Sequence, residues 1–403
     1  PPTQPADWPV TFGSNVVALD EDDGDLFAVL IDDTDMTGTL VSLAPDGTVN
    51  WDSEFPADEF GNGPDEADEA GWEWSTWVTT ERVFLAAGIR HKSWTVRAFR
   101  RTTGDELWSF RKERQLAVRD VTPESLLVTA EEMFVPETTH DTPEEPLTSH
   151  VYLLDRETGD ATRLGSLDGV RGGAATPDGA YLVTVNGVTA FDNAGGSESQ
   201  RWQRPLSGEG IGVYTHNDRI VTLAKTEDRS EIVGFGPDSE RRWQRQAPET
   251  HGSDSLFVDG VLYVGGGDGV VAVRADGTVA WRDDRPGGWF IYDDATGRVY
   301  TRSGVAADAA AAYGPDGDWR WTFDPDSKNA WPTTVTDQAV LATAITGDHA
   351  SEPFYTVYAV DPETGDGSEL VGLDTIFSVE SVGNRAYFAA GRRIHAYEPA
   401  PGN

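Results

Sequence analysis

A glycine turn followed four residues later by tryptophan recurs along this chain, and that spacing constrains the fold more than any other feature. Gly47 precedes Trp51, Gly104 precedes Trp108, Gly277 precedes Trp281 and Gly317 precedes Trp321 at this interval. Ser239 before Trp243 keeps it without the glycine, while Gly196 before Trp202 lies two residues further away. Two further copies, Asp155 to Asp160 and Asp361 to Asp366, keep the turn and are followed by Leu164 and Leu370 in place of the indole. The repeating unit is about 40 residues, the length of one supersecondary module in a closed or stacked array.

Each turn lies between short β-branched and aromatic runs, such as Leu262-Tyr263-Val264, Val270-Val271-Ala272-Val273 and Thr278-Val279-Ala280-Trp281. Runs of this length bounded by Gly and Asp read as strands, and amphipathic helical periodicity is nearly absent. Asp-Gly and Thr-Gly supply the positive φ that a tight hairpin needs. Each unit therefore reads as a four-stranded meander, A to D. Meanders repeated around an axis form an all-β propeller, whose closure leaves no long open edge. Trp8, Trp51, Trp108, Trp202, Trp243, Trp281 and Trp321 are then expected as structural wedges between blades.

The segment Ala98-Phe99-Arg100-Arg101-Thr102-Thr103-Gly104 through Trp108 resembles the pyrroloquinoline-quinone-like (PQQ-like) repeat, departing from it at the position of its Asp. That family includes quinoprotein dehydrogenases and the outer-membrane assembly lipoprotein propeller. The resemblance implies a β-propeller and leaves the function open. A quinoprotein dehydrogenase is expected to bring an Asp base, a calcium site and, in many members, adjacent cysteines. This chain has no cysteine, and no residue set carries over the other two.

The last unit, with runs at 377–379, 386–388 and 394–397, lacks a D strand, whereas Asp7-Trp8-Pro9-Val10-Thr11-Phe12 is a D strand without partners. Joining the two ends in one sheet gives nine blades; an eight-bladed ring with one misread unit is the alternative. The chain is read as one propeller domain over 1–403. It comprises a polar lead-in at 1–6, a closing strand at 7–12, eight blades over 13–375 and the closing-blade strands over 376–399.

In a meander the A–B and C–D turns share one face of the disc, and the B–C and D–A connections share the other. The long segments are 58–71, a D–A connection, and 133–149, 90–93 and 347–353, all B–C connections. They crowd one face, and long irregular loops on a rigid scaffold are where binding usually resides. The candidate interaction face comprises Asp65, Glu66, Asp68, Glu69, Trp72 and Trp74 in the first loop. Met133, Phe134, His140, Asp141, Glu144 and Glu145 follow in the third unit, with His91 and His349 in the two shorter loops. The competing reading of these segments is a solvated acidic surface.

With 69 acidic and 31 basic residues the formal net charge is −38, and only Lys92, Lys112, Lys225 and Lys328 are lysine. This composition resembles proteins of extreme halophiles, here a halophilic archaeon, with salt cations at the acidic surface. Such a charge repels phosphate, which sets aside nucleic acid and anionic membranes as partners. No run of about 18 apolar residues occurs, so no transmembrane segment is expected. The lead-in Pro1-Pro2-Thr3-Gln4-Pro5 resembles the tether of an exported or lipid-anchored protein, which favours an extracellular or cell-surface location over a cytoplasmic one.

No nucleophile elbow, Walker loop or dinucleotide fingerprint is present, and the seven histidines show no zinc spacing. The run Asp20 to Asp25 puts glycine fifth, where a calcium loop needs it sixth, and reads as an acidic A–B turn. No catalytic, cofactor-binding or metal residue is assigned. The expected function is a non-catalytic scaffold that binds another protein or ligand. The alternative is a quinone-dependent oxidoreductase, or a hydrolase or lyase using carboxylates at the central channel.

Overall fold

The computed structural model describes residues 8–22, 24–32, 37–56, 72–89, 93–131, 147–193, 199–227, 229–250, 254–303, 309–325, 329–345 and 355–398. Their strands form nine four-stranded antiparallel sheets arranged in a ring, a nine-bladed β-propeller. Blade 1 shows the pattern, with Asn15–Asp22, Asp25–Asp32, Thr37–Leu43 and Val49–Pro56 pairing in that order. In the closing blade Ser378–Val382, Arg385–Ala390 and Arg393–Tyr397 are completed by Val10–Thr11. Val10 pairs with Ile394 and Thr11 with Arg393, so the two chain ends share a sheet as expected.

The A strands lie innermost, and the core sits between blades. Phe27, Val29 and Ile31 of blade 1 pack with Val83, Leu85 and Ala87 of blade 2, and equivalent layers recur around the ring. Burying a Phe or Leu side chain in such a layer stabilises by about 1.5–3 kcal/mol.

The tryptophans occupy these seams. Trp51 of blade 1 donates its indole N–H to the Arg101 carbonyl in the C–D turn of blade 2 at 2.7 Å. Trp108 reaches Arg156, Trp202 reaches Pro237 and Trp321 reaches Pro362 in the same way, at 3.1, 3.0 and 2.9 Å. Each ring covers the turn of the next blade. A Cβ on Gly159, Gly277 or Gly317 would lie 2.6, 2.5 or 2.2 Å from Trp108, Trp243 or Trp281. Ser239, standing where other turns have glycine, is held at φ +73°. Leu164 and Leu370 are buried surrogates but lie one residue later than the tryptophans, at the D-strand bulge, where a one-residue shift turns the side chain inward.

An arginine clamp accompanies the indoles on this face. Arg82, Arg219, Arg298 and Arg385 each open a B strand and reach the C–D turn of the following blade. Arg298 binds Glu363 at 2.6 Å and the Pro362 carbonyl at 2.9 Å. Arg219 lies 4.0 Å from Asp276, Arg82 pairs with Glu157, and Arg385 binds the Pro45 carbonyl.

Two sequence expectations are corrected. Trp72 and Trp74 belong to the A strand of blade 2, Trp72–Val78, and not to a loop; they pair with Ile89 and Ala87 because a run rich in Trp, Thr and Val favours extended backbone. The connection read as 133–149 ends earlier, since Thr148–Asp155 is the C strand of blade 3.

Candidate functional site

The rim of the disc carrying the B–C and D–A connections is built on the first residues of the A strands. The connections 57–71, 132–146 and 346–354 join the strands that the sequence assigns to them. Asp65, Glu66, Asp68, Glu69, His91, Met133, Phe134, His140, Asp141, Glu144, Glu145 and His349 lie outside the described residues, as do the side chains of Trp72 and Trp74.

Six A strands carry a bulge near this rim, which leaves Val17, Arg119, Arg171, Ile211, Trp289 and Thr333 out of ladder register. A bulge bends its strand and re-aims a side chain. Val17 and Ile211 pack toward the next blade. Arg119 donates from Nε to the Thr129 hydroxyl at 2.9 Å and from a terminal nitrogen to the Arg171 carbonyl at 3.4 Å. Arg171 in turn meets Glu209 of blade 5 at 3.0 Å. Burial holds the Arg119 guanidinium below its usual range, offset by Glu131. Burial raises the Glu131 carboxyl, opposed by Arg119 and Arg171. Blades 3 to 5 therefore present a largely compensated ionic arc.

Blades 7 to 9 present an apolar one. Trp289 is 46% exposed, Phe377 51% and Ile345 39%. Trp289 takes φ +51°, in the left-handed region. It lies outside the Gly-to-Trp spacing of the wedge tryptophans, so the repeat does not single it out. The signal was Gly287-Gly288 immediately before an indole at the start of an A strand.

The opposite rim is acidic at the seam between the closing blade and blade 1. Glu380 is pushed up to about 8 by burial, with Asp20 and Glu21 adding to the rise. Burial also raises Asp20, although it accepts the Glu21 amide at 2.9 Å. An opening of about 590 Å³ there is lined by Glu21, Gly24, Pro45, Val382, Gly383, Asn384 and Arg385. Among the described residues no three His, Asp or Glu side chains are grouped to hold a metal.

The protein is thus a nine-bladed β-propeller. Residues 147–287, from the C strand of blade 3 to the connection after blade 6, match the family described as outer membrane protein assembly factor BamB. No curated protein matches the chain. Among solved structures, Sqt1 of Saccharomyces cerevisiae aligns with a TM-score of 0.53 and 11% identity, over 96% of this chain and 97% of Sqt1. The C-terminal WD40 domain of Sif2 gives 0.51 at 9% identity, over 100% and 99%. The dihydro-heme d1 dehydrogenase NirN gives 0.52 at 14%, over 92% and 78%. At such identities these likenesses show the propeller fold alone. No helix among the described residues is long and apolar enough to cross a membrane.

Proposed function

We propose that this chain is a single-domain, non-catalytic docking scaffold that binds a partner protein through the rim bearing its long connections. The observation that carries this reading is the difference between the two rims. One is tied blade to blade by indoles and arginines on short turns, whereas the other carries the long connections and the exposed Trp289 and Phe377. The match of 147–287 to the BamB family supports a role in assembly at the cell envelope. The acidic composition supports a halophilic archaeal source, and an exported, cell-surface location is consistent with both.

Capture of partners in molar salt tests the reading, using the intact chain and variants lacking 58–71 and 136–146. Loss of captured protein in the variants, with melting temperature kept, is expected. Unchanged capture removes the assignment of this rim.

A further inference from the structure

Trp289 is the one exposed tryptophan among the described side chains, and the backbone holds it there at a cost. A bulky residue at φ +51° is an outlier that persists only when its surroundings impose it. The preceding peptide is clamped. The Gly288 amide donates to the buried Thr301 hydroxyl at 3.0 Å, and that hydroxyl donates to the Gly288 carbonyl at 2.7 Å. Gly287 donates to the Gly266 carbonyl of blade 6 at 3.1 Å, and a Cβ on Gly288 would lie 2.5 Å from the Asp254 carboxylate. Yet the ring joins no core cluster, ring pair or hydrogen bond among the described residues. Packing does not explain it.

The charge of the molecule selects what such a ring would receive. Indole faces attract cations, and a net charge of −38 draws cationic groups while repelling anionic ones. Elsewhere guanidinium groups cover aromatic rings in this protein. Arg101 lies 5.7 Å from the Phe27 centroid, and Arg285, in the connection leading into the blade of Trp289, lies 4.4 Å from the Trp319 centroid of that blade. Arg285 is thereby taken up, and no other cation among the described residues covers Trp289. Exposed Asp324 and Asp374, in the connections that follow blades 7 and 8, add negative charge, while Phe377 and Ile345 add apolar surface.

We propose that Trp289 receives an arginine or lysine side chain from a basic segment of a partner protein, with the exposed Ile345 and Phe377 further along the same rim, on blades 8 and 9, taking apolar residues of that segment. This rests on the docking rim for its location only; the recognition chemistry stands on Trp289 itself.

The test uses the full chain labelled with 5-fluorotryptophan and an arginine–glycine repeat peptide as probe, with a glutamate–glycine peptide as control. Trp289→Asn assigns the fluorine line by its loss, and Asn tolerates the left-handed backbone, so the melting temperature is expected to hold. The Trp289 line should shift and saturate with the basic peptide and stay fixed with the acidic one. Trp289→Asn should weaken binding by about fivefold. Equal affinity in that variant, or a Trp289 line unmoved at saturation, overturns the proposal and leaves only diffuse charge attraction. A chain lacking 58–71 and 136–146 should still bind the peptide, so failure of the loop assignment is distinguishable from failure of this one.

Discussion

Trp51 lies across the seam on Gly104, so closely that a methyl group on the glycine would sit 2.4 Å from the indole. Gly104 also takes φ +73°, so the position excludes a side chain twice over, by space and by backbone. Gly104→Ala is expected to destabilise by about 2–3 kcal/mol. Gly13→Ala, with nothing within 4 Å and no positive φ, should shift stability by less than about 0.5 kcal/mol. Urea unfolding of the two variants at one salt concentration decides between them.

Ring closure concentrates on Trp8, 5% exposed and edge-on to Tyr387 at 5.4 Å. Trp8→Ala should cost about 3–5 kcal/mol. Hydrogen exchange should then rise first in Arg385–Ala390 and Arg393–Tyr397, ahead of blade 5. Uniform loss of protection would contradict closure through the termini.

Glu380 predicts a pH dependence whose sign follows from its raised carboxyl. Its contribution is fully present below the ordinary value of 4.5 and is lost as pH rises through about 8. Melting temperature should fall as pH rises from about 4.5 to about 8, and Glu380→Gln should flatten that slope. An unchanged slope in the variant would place the titration elsewhere.

Net charge predicts a salt response. At −38 the folded ring repels itself in dilute buffer, and the Debye length falls from about 10 Å at 0.1 M salt to about 3 Å at 1 M. The melting temperature should climb over that range and level off beyond it. A flat response would remove the halophilic reading.

The clamp arginines separate packing from charge. Arg298 is 12% exposed and binds a carbonyl, whereas its partner Glu363 is 69% exposed. Arg298→Ala should cost about 1–2 kcal/mol through lost packing and the Pro362 hydrogen bond. Glu363→Gln should be nearly silent in high salt. Thermal melts of both variants at low and high salt check the difference.

The sequence by itself determined the four-stranded unit and the pairing of the two ends, and it narrowed the ring to nine or eight blades, between which the nine sheets decide. Those rest on local chemistry: a glycine that must take positive φ, an indole at fixed spacing after it, and strand runs cut to length by turns. It also marked where the long connections fall, since meander connectivity alternates faces. Tertiary structure alone decided what each side chain meets. Arg82 and Glu157 are 75 residues apart, and nothing local pairs them. Bulges in six A strands shift register by one residue, which changes the facing of Arg119, Arg171 and Trp289 without leaving a periodic trace. Trp289 stands outside the wedge spacing in the sequence, but only its clamped backbone and exposed ring show what that departure means.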